Sequence, residues 1–141
     1  MRFWDSSALV PLLMQQPASR HTDRWLAEDA QIAIWTLSVV EITSALWRLV
    51  REGRLDESAA GQAEARSAQL AAASHAIVDV SAARALAQRV LRVHPLRAAD
   101  ALQLAAALLW SAGQPHLHVL HTLDERLAAA ARREGFEVPQ G

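Results

Sequence analysis

Apolar positions alternate in character along the chain between short β-rich runs and longer stretches with helical spacing. Arg2-Phe3-Trp4 reads as a short strand, and Asp5-Ser6-Ser7 as the start of a helix that runs from Ala8 to Met14 with Pro11 in its first turn. An amphipathic helix follows over 19–30, anchored by Trp25 and Leu26, and then a strand over 31–35. The spacing predicts a strong helix over 38–52, broken by Gly53-Arg54-Leu55, and another that Asp56 caps and that runs to Ala73. His75 to Val80 reads as a buried strand, with Ser81 capping a helix that Pro95 stops. A helix apolar nearly all round covers 98–112. A strand over 118–121, a helix over 124–134 and an edge strand at 136–138 complete the pattern.

No Asn-Gly or Asp-Gly hairpin signal joins neighbouring strands. Strands alternating with helices predict one α/β domain over 1–141, with a central short-stranded parallel sheet flanked by helices on both faces. The Asp56–Ala73 region reads as a helical hairpin at one end.

Composition narrows the chemistry. At 52% hydrophobic and 21% charged, the 141 residues can build a real core. Cysteine is absent, so disulfides, Cys-ligated zinc, iron–sulfur clusters and thiol nucleophiles drop out. Every basic residue is arginine. Without lysine there is no standard phosphate-binding P-loop, no pyridoxal Schiff base, and no standard receiver or haloacid-type phosphotransfer site. The start carries a carboxylate where a signal peptide needs an apolar run, and the 98–112 segment is too short to span a bilayer. A cytoplasmic protein with no membrane association is the expectation.

Ligands of open parallel sheets bind beyond the carboxyl ends of the strands. Four carboxylates fall at helix starts there. Asp5 follows the first strand, Asp124 follows the strand over 118–121, and Glu41 and Asp100 lie in first turns of their helices. Each also has a purely structural use. Asp5 and Asp124 suit N-caps, Ser38-Val39-Val40-Glu41 suits a capping box, and Asp100 suits the helix dipole. Two features favour chemistry. Asp100 sits in a helix too apolar to hold a carboxylate without a cation or several donors. Glu41 projects from the same helix face as Ser44 and Arg48, opposite Ile42, Leu46, Leu49 and Val50. Converging acids repel one another, and hard oxygen ligands suit Mg²⁺ or Mn²⁺.

These residues resemble a known family. Asp5-Ser6-Ser7-Ala8-Leu9, Ser38-Val39-Val40-Glu41-Ile42, Arg97 to Ala105 and Thr122-Leu123-Asp124-Glu125-Arg126-Leu127 resemble, in order, the motifs of PIN-domain nucleases. The size of the chain and its Asp-Ala-Leu pattern resemble most the VapC toxins of type II toxin–antitoxin modules. The resemblance implies a PIN-like fold and a Mg²⁺- or Mn²⁺-dependent endoribonuclease acting on RNA. It implies metal held by Asp5 and Asp100, with Glu41 and Asp124 completing the catalytic set. It also implies a homodimer inhibited by a small cognate antitoxin protein. A fifth acidic ligand at Glu125 is left open, and Ser7 and Thr122 read equally as orienting hydroxyls and as turn or cap residues. The same residues fit an RNA-processing nuclease of this kind without an antitoxin, and a non-catalytic interaction module whose acids are only caps.

Other groups compete less well. His116 and His118 share a face of the expected strand and suit zinc or nickel, but half a ligand set is missing. Asp79 ends a strand but is covered by no motif, and Ser81 is the expected cap. Apolar segments around Ala8–Met14 and Ala98–Ala112, with Trp25 and Trp47, are the expected seat for a second subunit or an antitoxin helix. Arg48, Arg51, Arg54 and Arg97 suit phosphate contacts or ordinary surface ion pairs.

Overall fold

A computed structural model describes residues 1–141. Four parallel strands, β1 (Arg2–Trp4), β2 (Ile32–Trp35), β3 (His75–Ile77) and β4 (Leu120–His121), form one sheet in the order β3-β2-β1-β4. Seven α-helices connect and cover them: α1 (Ser6–Leu13), α2 (Ser19–Glu28), α3 (Ser38–Arg51), α4 (Glu57–Ala73), α5 (Val80–Val93), α6 (Ala98–Trp110) and α7 (Glu125–Glu134). The chain winds outward through β1, β2 and β3, then returns to lay β4 on the far side of β1. The strand order therefore reverses between β1 and β4, the place where open parallel sheets bind ligands.

The period-2 alternation of β1 sends Phe3 and Trp4 to opposite faces. Phe3 joins Ala33, Trp35 and Leu120 against α5, α6 and α7. Trp4 joins Ile34 against Leu9 of α1, Trp25 of α2, Ile42 and Leu46 of α3 and Ala63 of α4. His121 pairs in register with Trp4 and shares its face, stacked on Trp25 at 4.5 Å between ring centroids. Residues 57–73 form one continuous helix and not a hairpin of their own; α4 instead pairs with α3, tied by Trp47 Nε1 donating to Glu64 at 3.2 Å. On the other layer, Glu134 of α7 accepts two bonds from Arg89 of α5 and lies 2.7 Å from buried His94.

Several local expectations are corrected. Helix α1 begins at Ser6, because the Asp5 side chain caps it directly at the end of β1, so Pro11 lies in its interior rather than its first turn. Strand β3 stops at Ile77, and Asp79, not Ser81, caps α5 by accepting from Ala82 N at 2.9 Å. Residues 115–117 form a 3₁₀ turn, so His116 and His118 do not share a strand face, and His118 packs on Trp110. The edge strand at 136–138 is reduced to a single parallel bridge between Val119 and Glu137. The expected docking segments belong to the core: Ala8, Leu9, Trp25 and most of α6 are buried. Exposed large apolar residues instead include Leu37, Val40, Val78 and Val80, which follow the carboxyl ends of β2 and β3. No helix is long and apolar enough to cross a membrane.

His121 carries a pH consequence. Burial, then the nearby Arg2 charge, pushes its pKa down to about 4 from 6.5, and its Nδ1 has no partner. The unfolded chain therefore binds this proton more readily than the folded one between those values. Stability from neutral His121 is complete above pH 6.5 and falls as pH drops toward 4, by up to about 3 kcal/mol. Urea denaturation from pH 7.5 to 4 is expected to show this loss. His121→Phe should flatten it, and an unchanged slope in that variant would assign the acid sensitivity to other groups.

Candidate active site

The site begins where β1 ends. Asp5 N donates to His121 O at 2.9 Å, extending the β1–β4 ladder by one residue and fixing the Asp5 backbone at the sheet edge. Asp5 is nearly fully buried. Its Oδ2 accepts from Ser7 N at 3.2 Å, from the Ser7 hydroxyl and from Thr122 Oγ1 at 2.8 Å. Those hydroxyls are themselves oriented from behind. Leu123 N donates to Ser7 Oγ at 2.9 Å, and Asp124 N donates to Thr122 Oγ1 at 3.0 Å. Each hydroxyl accepts from the backbone and has one hydrogen left, which it gives to Asp5. Ser7 and Thr122 are thus more than turn residues.

The other Asp5 oxygen is left poor in donors. Ser6 Oγ lies 3.3 Å from Asp5 Oδ1 and 2.8 Å from Glu41 Oε2. One hydroxyl hydrogen serves one acceptor well, and the shorter contact goes to Glu41. Glu41 Oε1 accepts from Gln103 Nε2 at 3.1 Å, whose second hydrogen reaches Ser38 Oγ at 2.9 Å. The expected capping box is therefore absent. Ser38 is buried and turned toward α6, and Glu41 reaches across to α1 and α6 instead of back along its own helix. Gln103 is a site residue that the motif pattern does not single out. It is fully buried in a helix otherwise apolar, and a lone amide in such a setting is the signal that marks it.

All four candidate carboxylates border one region. Burial pushes the Asp5 carboxyl up, Ser7 and Thr122 pull it back, and Asp124 raises it further by like charge. Burial also raises Glu41, opposed by Ser6 and Gln103 and reinforced by Asp5 and Asp100. Asp100 is raised by burial, then by Asp124 and Asp5, with Arg97 and Arg126 opposing. Asp124 caps α7 through Oδ1, which accepts from Leu127 N at 2.7 Å. Its capping role and its place beside the other acids coexist. Glu125 is exposed and, with Thr122 and Asp124, borders a second cleft that takes in Arg132 and the C-terminal residues. No three of these side chains close into a coordination cage. A cleft of about 580 Å³ opens over the site between α1, α3 and α6, lined among others by Ser6, Glu41, Ser44, Arg48 and Asp100.

A short parallel sheet that reverses order beside a cluster of acids defines a PIN-type α/β domain, and the chain matches the PIN domain over residues 2–133. The chain belongs to the PIN-domain family. It is 32% identical to "Ribonuclease VapC45" from Mycobacterium tuberculosis over 137 residues, covering 96% of this chain and 92% of the relative. Among solved structures it resembles PAE2754 from Pyrobaculum aerophilum, with a TM-score of 0.64, 25% identity, and coverage of 97% of this chain and 87% of that one. It also shares its fold with a toxin–antitoxin complex from Klebsiella pneumoniae, with a TM-score of 0.63, 18% identity, and 91% of each chain covered.

The mutual repulsion has a measurable sign. A carboxyl raised above its unfolded value costs stability once pH exceeds that value, because the folded chain then holds an ionised group it disfavours. Asp100→Asn removes one such charge without changing size. At pH 7.5 it should raise the melting temperature, by at most about 2–4 °C because solvent screens a half-exposed carboxylate. The gain should vanish near pH 3.5. A lower melting temperature at pH 7.5 would show Asp100 to be a stabilising helix-start acid and nothing more.

Proposed function

We propose that the protein is a divalent-metal-dependent endoribonuclease that hydrolyses RNA phosphodiester bonds, and that it acts as the toxin of a type II toxin–antitoxin module. The observation that carries this reading is the convergence of Asp5, Glu41, Asp100 and Asp124 at the β1/β4 reversal, in a chain related along nearly its whole length to a ribonuclease.

The donor set fits Mg²⁺ or Mn²⁺. Its ligands are hard oxygens, with Asp5 Oδ1 nearly free of donors and Asp100 raised by burial and then by the charges of Asp124 and Asp5. The open arrangement suits a cation that keeps several waters instead of entering an all-protein cage. Asp5 and Asp100 would hold the ion, which when bound supplies neutralising charge and Lewis acidity toward the phosphate. The chain's residues do the rest. Ser7 and Thr122 fix one Asp5 oxygen and leave the other short of donors. Ser6 and Gln103 hold both Glu41 oxygens. Glu41, its carboxyl raised by burial, accepts the proton of the water that attacks phosphorus as the bond to the leaving ribose oxygen breaks. Asp124 adds negative charge that strengthens cation binding at Asp5 and Asp100.

The partner is a small cognate antitoxin, and the active form is a homodimer. Support comes from the family resemblance, from the fold shared with a toxin–antitoxin complex, and from exposed apolar residues after the ends of β2 and β3, of which Val40 lines the acidic cleft. Light scattering after size exclusion, alone and after co-expression with the product of the adjacent small reading frame, checks this part. A monomer indifferent to that product would leave a nuclease without the toxin role.

Cleavage of a fluorescent RNA with Mn²⁺, and with chelator in its place, tests the chemistry. Asp5→Asn and Asp100→Asn are expected to lose activity by at least about 100-fold while remaining folded, and chelator should do the same to the unaltered protein. Gln103→Leu should lower kcat by about tenfold with little change in KM, since it frees Glu41 without touching RNA. Full activity in Asp100→Asn would end the reading.

A further inference from the structure

The acidic site is bordered by arginines that do not neutralise it. Arg48 lines the same cleft as Glu41, Ser44 and Asp100. Glu41, Ser44 and Arg48 recur at helical spacing on one face of α3, and Arg48 lies about 10 Å along the axis from Glu41. Arg97 immediately precedes α6, three residues before Asp100. Arg126 lies in the first turn of α7, two residues after Asp124. Both are near enough for their charge to be felt at Asp100. All three side chains are exposed, and none is within ion-pair distance of any carboxylate, although four acids stand beside them. Of the 14 arginines only Arg2, Arg54 and Arg89 form ion pairs, so what sets Arg48, Arg97 and Arg126 apart is their place beside the acids.

Unpaired arginines next to unpaired acids suit a ligand that carries negative charge at regular intervals. A lone phosphate would meet either the acids or one arginine. A strand of phosphates meets both: one group over the acids, its neighbours over the cations on either side. The cleft volume lies in the range of ordinary ligand sites, and Val10, Val40, Ala45 and Ala99 give it apolar wall for ribose and base. We propose that Arg48 on one side, and Arg97 with Arg126 on the other, bind the phosphates that flank the scissile one, so that a single RNA strand runs along the α1–α3–α6 cleft. This rests on the ribonuclease reading and adds to it the path of the substrate. The arginines are positioning residues, acting on phosphates that do not react.

The test uses full-length protein and a 12-nucleotide single-stranded RNA. In cleavage assays with Mn²⁺ at low salt, Arg48→Ala, Arg97→Ala and Arg126→Ala should each raise KM by about five- to tenfold and leave kcat within about twofold. In binding measured by fluorescence anisotropy with chelator, the triple alanine variant should flatten the dependence of log affinity on log salt by about 2, near 0.7 for each phosphate no longer neutralised. Arginine-to-lysine variants should retain most of the slope, because they keep the charge. Arg20→Ala, on α2 outside the cleft, should behave as the unaltered protein. Unchanged KM and salt slope in the triple variant, with cleavage intact in the parent, would overturn the strand path and spare the nuclease. A fall in kcat at constant KM would place the arginines on the reacting phosphate and equally overturn it. A parent protein that neither cleaves nor binds RNA would remove both readings together.

Discussion

Everything at the site depends on one buried carboxylate. Asp5 leaves β1 where the sheet reverses order, and its position is doubly constrained. Its backbone N–H completes the pairing to β4, and its side chain caps α1. A buried ionised acid is costly unless donors surround it. The donors here are hydroxyls of Ser7 and Thr122, each held in place by a backbone N–H from the start of the fourth motif. That network joins the first and last motifs, 117 residues apart in sequence. It satisfies one oxygen and leaves the other nearly bare. Burial supplies the order, and incomplete satisfaction supplies the affinity for a cation.

The second anchor works in the same way across the other helices. Glu41 is held by Ser6 from α1 and by Gln103 from α6, so three helices on both faces of the sheet converge on its carboxyl group. Gln103 Oε1 is itself buried without a partner. An unsatisfied buried amide oxygen costs about 1–3 kcal/mol, which an apolar residue of the same shape would avoid. The chain tolerates that cost at the residue that orients Glu41. Functional sites are where such local conflicts are expected.

Much of this is legible in the sequence. The four acids can be picked out because each follows a strand or opens a helix, positions that a parallel sheet brings to one edge. Alternation of strands and helices reveals the architecture for the same reason, since hydrophobic period is a local property. What stays hidden is mostly nonlocal. Ser38 and Glu41 have the spacing of a capping box, and only the approach of α6 redirects both side chains. Local rules favour Ser81 as the cap of α5, and the early end of β3 at Ile77 gives that role to Asp79. Local rules place Pro11 in the first turn of α1, but capping by Asp5 pulls the helix start back to Ser6. Trp25 reads as the apolar anchor of an amphipathic helix, suited to the core or to a subunit interface, and the stacking of His121 from β4 places it in the core. Some of the apolar residues left exposed, Leu37, Val40, Val78 and Val80, follow strand ends, which periodicity does not single out.

The central claim is that the bare oxygen of Asp5 and the raised carboxyl of Asp100 form a cation site. Crystals of the protein grown with Mn²⁺, with anomalous scattering collected near the manganese edge, address it directly. The account predicts an anomalous peak between Asp5 and Asp100, with water completing the coordination, and its absence in Asp5→Asn crystals. No peak there at saturating Mn²⁺, or a peak held by other residues, would contradict it.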